Sequence, residues 1–239
     1  MSRIFFVGDT HGAIEINKLS FQNFAEGRNL TKDDYVIICG DFGCLWSGDS
    51  EDNYWLNWLE ERPFTTLFVD GNHENFPLIY SYPLKTWNGG LIHQIRPSVN
   101  HLMRGQVFTF NNETFFTMGG ATSIDKVYRK EGRSWWPEEI PSCAEMATGV
   151  ANLEKYNHQI DYIITHCLPN SILERIDQFY PRHDSLTNYL ENMVVQEVNF
   201  KKWFCGHYHI DRTIDDKYYI LYKDILELLP NNKIKVVNN

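Results

Sequence analysis

Acidic and histidine side chains recur at the ends of short apolar runs in this chain. Residues 4–7 (IFFV) precede GDTHG, residues 35–39 (YVIIC) precede GDFG, and residues 66–69 (TLFV) lie just before GNHE. Two later runs, 162–165 and 202–205, precede a histidine and the sequence GHYH. The residues at these positions that could bind a metal ion or transfer a proton are Asp9, His11, Asp41, Asn72, His73, His166, His207 and His209.

This set of residue types is typical of a site for two metal ions. A single Asp or His at a strand end is more often structural, but the same pattern at five strand ends favours a shared site. Ligands gather at the carboxyl ends of strands in open α/β sheets, so these side chains should converge. Carboxylate with imidazole suits Mn, Fe, Zn or Co better than Ca. One Asp can bridge two ions roughly 3.5–4 Å apart.

The rest of the chain predicts the elements that position these residues. The apolar runs are expected to be buried strands, and residues 106–110 and 114–118 a β-hairpin. Residues 76–100, rich in Pro, Gly and Asn, are expected to be irregular. Helices are expected over residues 14–24, 53–59, 143–157 and 185–198, and further strands over 218–222 and 234–237. The sequence shows no repeat or linker, so residues 1–239 are predicted to form one domain.

Composition narrows the function classes. The chain has 239 residues, of which 43% are hydrophobic, and no apolar stretch approaches the roughly 20 residues of a membrane helix. An N-terminal strand leaves no room for a signal peptide, and five scattered cysteines suggest a reduced, cytoplasmic protein. The net charge of −9 disfavours binding to extended nucleic acid, but it permits a small phosphorylated ligand beside a metal ion.

Taken in order, the five motifs resemble those of the calcineurin-like metallophosphoesterases. The family signature D-x-H, GD, GNH, H and GH-x-H is similar to this chain from Asp9 to His209. The resemblance implies an α/β fold built as a four-layer α-β-β-α sandwich. It also implies two mixed sheets with a binuclear metal site at the carboxyl ends of strands.

The resemblance further implies a role for each matching residue. One metal would be held by Asp9, His11, Asp41 and His209, and the other by Asp41, Asn72, His166 and His207. Asp41 would bridge the two ions, and His73 would protonate the leaving oxygen or stabilise the phosphoryl group. Two divalent ions are expected, with Mn²⁺ preferred and Fe, Zn, Ni or Co as alternatives.

The activity implied is hydrolysis of a phosphate mono- or diester by direct attack of a hydroxide that bridges the metals. The substrate would be a small phosphorylated molecule or a nucleotide. Serine/threonine phosphoprotein phosphatases resemble the chain too, but they read GDxVDRG at the second motif, where Cys44 and Leu45 stand here. A binding scaffold that has lost catalysis is a weaker alternative, because every ligand type is present.

At the second motif, Leu45 stands where phosphoprotein phosphatases have the arginine that binds the phosphate of the substrate. Guanidinium binds phosphate oxygens through two parallel hydrogen bonds, so another arginine could take that role. The candidates are Arg104 and the segment from Lys126 to Arg133, which contains Arg129 and Arg133. A solvated surface loop is the alternative interpretation of that segment.

Overall fold

The computed structural model describes residues 1–176 and 183–237 of the chain. Over these residues, β-strands form two sheets that pack face to face. The strands are β1 (Ile4–Val7), β2 (Tyr35–Cys39), β3 (Thr65–Val69), β4 (Leu84–Trp87), β5 (Gly90–Arg96), β6 (Val99–Leu102), β7 (Gln106–Phe110), β8 (Glu113–Met118), β9 (Tyr162–Thr165), β10 (Lys202–Cys205), β11 (Arg212–Ile214), β12 (Tyr218–Ile220), β13 (Ile225–Leu229) and β14 (Lys233–Val236).

Polar side chains cap the start of several helices. Asp49 accepts hydrogen bonds from the first amides of α1 (Ser50–Glu60), and Ser142 with Glu145 forms a capping box at the start of α3 (Cys143–Lys155). Among the described residues, no helix combines the length and apolar composition that a membrane crossing requires. The α-helices are α1 (Ser50–Glu60), α2 (Phe76–Tyr80), α3 (Cys143–Lys155), α4 (Asn170–Leu173) and α5 (Ser185–Tyr189), the last continuing as a π-helix over Leu190–Val195.

Both sheets are mixed, as predicted. The first has the order β14-β13-β1-β2-β3-β6-β5-β4, and the second has the order β11-β12-β10-β9-β8-β7. Strands β1, β2, β3 and β6 run parallel within the first sheet, and β8, β9, β10 and β12 run parallel within the second. The motif-bearing loops therefore follow neighbouring parallel strands, whose carboxyl ends meet at one edge of each sheet.

Successive residues of a strand face different layers of the fold. Phe6 of β1 faces the second sheet, where its ring stacks on Phe204 with centroids 3.7 Å apart. Its neighbour Phe5 faces the other way, into a cluster that includes Leu56 of α1. In the second sheet, Trp203 of β10 lies in an outer cluster with residues of α3. Successive strand residues point to opposite faces, so helix, sheet, sheet and helix form the predicted four-layer α/β sandwich.

The expected helix over residues 14–24 is wrong. Short 3-10 turns occupy Gly12–Ile14 and Ile16–Leu19, and Glu15 breaks the helical backbone with φ −131°. The amide of Glu15 donates to the Thr10 carbonyl at 3.0 Å, which folds this stretch back against the loop after β1. Ile14 is exposed while Ile16 and Leu19 are buried, so tertiary contacts have replaced the helical period.

The expectation of irregular structure over residues 76–100 is also wrong. This stretch contains α2, β4, β5 and the first half of β6. Asn88 and Gly89 connect β4 to β5 with φ of 46° and 93°. Two consecutive left-handed residues of this type form the tight turns of β-hairpins. The Asn-Gly pair was therefore a hairpin signal rather than a sign of a loop.

Candidate metal centre

The five motif-bearing loops converge where the two sheets meet. Ligand atoms of Asp9, His11 and His209 lie within 4.8 Å of one another, and so do those of Asp9, Asp41 and His166. The first sheet contributes the loops after β1, β2 and β3, and the second contributes those after β9 and β10. The seven predicted ligands and His73 are connected by the contacts described below.

Two buried aspartates form the middle of this cluster. Asp41 Oδ2 lies 3.3 Å from His166 Nε2 and 3.8 Å from His11 Nε2, so it reaches toward both groups of ligands. Burial raises the pKa of Asp9 to about 7. Burial by itself lowers the pKa of His166, but Asp41 and Asp9 outweigh it and raise that pKa to about 9. The carboxylates thus need positive charge between them, which a divalent cation supplies.

His166 Nε2 and Asn72 Oδ1 both face the carboxylates. His166 Nδ1 lies 2.8 Å from the Cys39 carbonyl oxygen, which can only accept, so Nδ1 carries a proton and Nε2 faces the site. Nε2 lies 3.2 Å from Asn72 Oδ1. The Asn72 amide nitrogen donates to Ser123 Oγ at 3.0 Å, which keeps Oδ1 on the side of the cluster. Both orientations suit ligation of a cation.

His11 and His209 form the more open side of the cluster. Their Nε2 atoms lie 3.2 Å apart, and His209 Nε2 lies 3.3 Å from Asp9 Oδ2. Burial lowers the pKa of His11 to about 4. The ring of His209 stacks on Tyr222 with centroids 4.6 Å apart and planes 4° apart. Neutral imidazoles at this spacing fit a metal ion better than they fit each other.

His207 joins the cluster through both its backbone and its ring. The His207 amide donates to Asp9 Oδ1 at 2.9 Å, and its ring centroid lies 4.9 Å from that of His166. Gly206 and Gly71 allow the loops this close approach, since a Cβ at either position would collide with the carboxyl groups of Asp9 and Asp41 respectively.

His73 lies beside the candidate metal ligands, and the guanidinium of Arg129 contacts its ring. The His73 amide donates to Asp41 Oδ1 at 2.7 Å, which fixes the residue against the cluster. Arg129 Nη2 lies 2.7 Å from His73 Nε2 and 2.9 Å from Nδ1. Burial lowers the pKa of His73, and the charge of Arg129 lowers it further, against the opposing effect of Asp41. Nitrogen atoms of both side chains could therefore meet one ligand.

The other candidate arginines lie elsewhere. Arg104 is buried, and its guanidinium donates to Asp70 through Nε at 2.9 Å and to the Glu138 carbonyl through Nη2 at 2.8 Å. It supports the loop after β3 from behind, so its placement gives no support to the expected contact with substrate. Arg133 is exposed in the same segment as Arg129.

Cys44 and Leu45 of the second motif are both buried in the core. Neither side chain can therefore take the role of the acid or the arginine found there in phosphoprotein phosphatases. Glu74 of the GNHE motif fastens the loops instead. Its carboxylate accepts from the amides of Phe42 at 2.7 Å and Gly71 at 3.4 Å. Burial raises the pKa of Glu74 to about 8.

Sequence reasoning missed four residues that support the site. Asp125 pairs with Arg129, and its position four residues earlier was a readable signal for such a pair. Asp70 precedes the GNHE motif directly, but no role was predicted for it. Ser123 and Tyr222 carry no local signal, because the fold alone brings them to Asn72 and His209.

A cavity of about 250 Å³ opens beside the cluster, and it is lined by Asp41, Asn72, His73, Ile124, Asp125, His207 and His209. The mixed carboxylate, amide and imidazole donor set fits divalent transition metals. The orientations of His166 and Asn72 point to the same conclusion. The residues present therefore fit a metal centre with an adjoining space for a small ligand.

Comparison with known families agrees with this geometry. The family model for calcineurin-like phosphoesterases matches residues 2–211, which include all of the ligand positions. The chain belongs to the calcineurin-like phosphoesterase family. Members of this family are in general metal-dependent enzymes that hydrolyse phosphate esters. No curated protein sequence matches the chain at a significant level.

Proposed function

We propose that this protein hydrolyses a phosphate mono- or diester of a small molecule or nucleotide in a single displacement. The observation that supports this proposal is the convergence of acidic and imidazole ligands beside His73 and a cavity. The described lining contains no serine, threonine or cysteine, and direct attack by water without a covalent enzyme intermediate is part of the proposal.

Two divalent cations are proposed as cofactors, with Mn²⁺ preferred and Fe, Zn, Ni or Co as alternatives. Asp9, His11, Asp41 and His209 would hold one, and Asp41, Asn72, His166 and His207 the other. When bound, the ions supply positive charge for the phosphate oxygens and acidify a water molecule. The chain contributes the positions of the ligands, which Glu74 and the backbone contacts of Asp41 fix in advance.

His73 is proposed to carry the proton that the leaving oxygen takes. Its lowered pKa makes the proton easy to release, and the negative charge of a bound phosphate favours the protonated ring. The contact between its amide and Asp41 Oδ1 holds the imidazole beside the ligand cluster rather than in it. A histidine placed in this way can act as a general acid.

Two other functions have less support. A serine/threonine phosphatase of the GDxVDRG type would need polar groups where Cys44 and Leu45 are buried in the core. A non-catalytic scaffold would not need the complete set of converging ligands. Extended nucleic acid is disfavoured by the net charge of −9.

The first experiment compares p-nitrophenyl phosphate with bis-p-nitrophenyl phosphate in Mn²⁺, for wild type and for His73→Ala. We expect the variant to keep both metal ions and to lose about 10²–10⁴-fold in turnover, the range for loss of an acid–base group. His183→Ala, which removes an exposed histidine elsewhere, is the matched control and should retain wild-type turnover.

Two outcomes would contradict the proposal. Full activity of His73→Ala would remove this residue from the mechanism. A purified wild-type chain that binds neither Mn²⁺ nor the alternative ions, and turns over neither ester, would favour the scaffold.

A further inference from the structure

The segment between β8 and α3, residues 119–142, covers one side of the candidate metal centre. Ser123 contacts Asn72, Ile124 and Asp125 line the cavity, and Arg129 contacts His73. The segment is fixed to the body of the protein by the Gly120 amide, which donates to the Asp70 carbonyl at 2.9 Å, and by the Glu138 carbonyl, which accepts from Arg104 Nη2 at 2.8 Å. These contacts make it a wall of the site.

Within this segment, Asp125 holds one edge of the Arg129 guanidinium, which also contacts the ring of His73. Asp125 Oδ2 accepts from Nε at 2.8 Å and lies 2.7 Å from Nη2. Nη1 donates to the Ser134 carbonyl at 3.3 Å, a long contact. The Arg129 side chain is 11% exposed, whereas that of Asp125 is 43% exposed and so partly screened by water. Nη2 is also the nitrogen that contacts His73, at 2.7 Å from Nε2.

We propose that Arg129 binds the phosphate of the substrate and that this contact makes the site prefer phosphate monoesters to diesters. Asp125 acts as the positioning residue that holds the guanidinium in place. The inference rests on the proposed phosphoesterase function and deepens it, because it names the ester class.

The preference follows from the number of terminal oxygens. Near neutral pH a monoester carries close to two negative charges, because its second pKa is about 6, on three terminal oxygens. A diester carries one charge on two terminal oxygens. A guanidinium forms two parallel hydrogen bonds only with a pair of anionic oxygens. If the cations take part of the phosphate, a diester has fewer anionic oxygens left for Arg129.

Other cations near the site are less suited to this role. Lys126 is paired with Glu139, and Arg104 is buried against Asp70. Arg133 is exposed in the same segment. Arg129, in contrast, contacts the ring of His73 through Nη2. It can therefore take the role that the second motif leaves without an arginine.

The test measures kcat/KM for p-nitrophenyl phosphate and for bis-p-nitrophenyl phosphate, together with inhibition by inorganic phosphate. For Arg129→Ala we expect a loss of about 10²–10³-fold on the monoester, comparable to loss of a transition-state hydrogen-bond donor, and less than about tenfold on the diester. The inhibition constant for phosphate should rise by about tenfold or more. Arg129→Lys and Asp125→Asn should show smaller losses with the same bias toward the diester.

Control variants test whether Arg129, and not another cation of the same segment, binds the phosphate. Lys130→Ala removes an exposed positive charge from the same segment and should leave both esters unchanged. A large monoester loss in Arg133→Ala, with a small one in Arg129→Ala, would overturn the assignment. Equal losses on both esters in Arg129→Ala would mean a structural role and would also overturn it, as would a wild-type preference for the diester.

The test also distinguishes failure of the proposed function from failure of the inference about Arg129. If the wild type with bound Mn²⁺ hydrolyses neither ester, the phosphoesterase proposal falls, and calorimetric titration with inorganic phosphate then decides the role of Arg129. Equal phosphate affinity in wild type and Arg129→Ala would overturn the inference, whereas weaker binding in the variant would support it.

Discussion

Four residues of the candidate metal centre hold their backbone in the left-handed region. The φ values are 43° for His11, 48° for Asp41, 72° for His207 and 50° for His209. This conformation costs of order 1–3 kcal/mol for a residue with a side chain, and it persists where surrounding contacts fix it. The turns that this conformation creates bring these four polar side chains toward one point. The backbone conformation is therefore what positions the candidate ligands.

The stacking of Tyr222 on His209 leads to a prediction at the same scale. The His209 side chain is 48% exposed, so the flat contact with Tyr222 is a main constraint on its ring. Replacement of a group that orients a ligand typically weakens metal affinity about 10–100-fold. We expect that loss for one of the two metal ions in Tyr222→Ala, measured by competition with a metal indicator.

The controls for this prediction are two tyrosine variants. Tyr222→Phe keeps the stacked ring and removes only the hydrogen bond from the hydroxyl to Glu15, so its affinity should stay close to wild type. Tyr54→Ala removes an exposed tyrosine from α1. If Tyr222→Ala binds both ions as tightly as Tyr54→Ala does, the stacking does not position His209.

Residue types and spacing identified the ligand candidates from the sequence, but not how each side chain is presented. The tautomer of His166 depends on the Cys39 carbonyl, and Tyr222 reaches His209 only because the second sheet brings them together. Arg104 and Arg129 were equal candidates by type. Their difference comes from burial against Asp70 in one case and contact with His73 in the other.

At the scale of elements, the end of β3 is supported by a buried charge network. Asp70 pairs with Arg104 and also lies 3.0 Å from His101 Nε2 on β6. Burial raises the pKa of Asp70, but Arg104 and His101 outweigh it and hold that pKa well below its usual range. The network places the loop that carries Asn72 and His73. It therefore connects stability to the geometry of the site.

Breaking this pair should destabilise the fold strongly. Arg104→Leu leaves the Asp70 carboxylate buried without its main partner, and such losses cost about 3–5 kcal/mol of unfolding free energy. Urea unfolding in EDTA measures the effect without a contribution from bound metal. Arg175→Leu, which breaks an exposed pair with Asp215, should have little effect on stability and serves as the control.

A second variant checks the cause. Asp70→Asn combined with Arg104→Leu removes the buried charge as well as its partner, so it should be more stable than Arg104→Leu alone. A double variant that is less stable by the sum of both single losses would mean that the two residues act independently.

The elements with one dominant signal were predicted well, and those formed by tertiary contacts were not. The strands before each motif and the hairpin of β7 and β8 are confirmed, because continuous apolar runs and an Asn-Asn turn indicate them locally. Helix α5 was expected to reach residue 198, but it ends at Tyr189 and continues as a π-helix. Strands β11 and β13 carry too short or too mixed a pattern to be read alone.

At the scale of the whole molecule, the candidate metal centre joins the two sheets. Asp9, Asp41 and Asn72 come from the first sheet, whereas His166, His207 and His209 come from the second. Burial of the aspartates without a cation is unfavourable. Metal binding should therefore stabilise the packing of one sheet against the other.

Removal of metal tests this connection. We expect thermal unfolding in EDTA to occur at a lower midpoint than in Mn²⁺, since a ligand at 100 times its Kd stabilises the fold by about 2.7 kcal/mol per site. Calorimetric scans across Mn²⁺ concentrations measure the effect. Asp41→Asn, with a weakened centre, should show a smaller shift, and identical wild-type midpoints in EDTA and Mn²⁺ would contradict the prediction.

The candidate ligands are far apart in the sequence, and this separation determines the stage of folding at which the metal centre can form. Asp9 and His209 are 200 positions apart in the numbering, and their contact requires both sheets to be in place. Contacts between distant parts of a chain form late, because closing a long loop costs entropy before any contact compensates for it. The apo protein must thus reach a nearly native arrangement before it captures metal. We therefore expect a finished site to select the ion, so that the supply of ions at that moment governs which metal the protein binds.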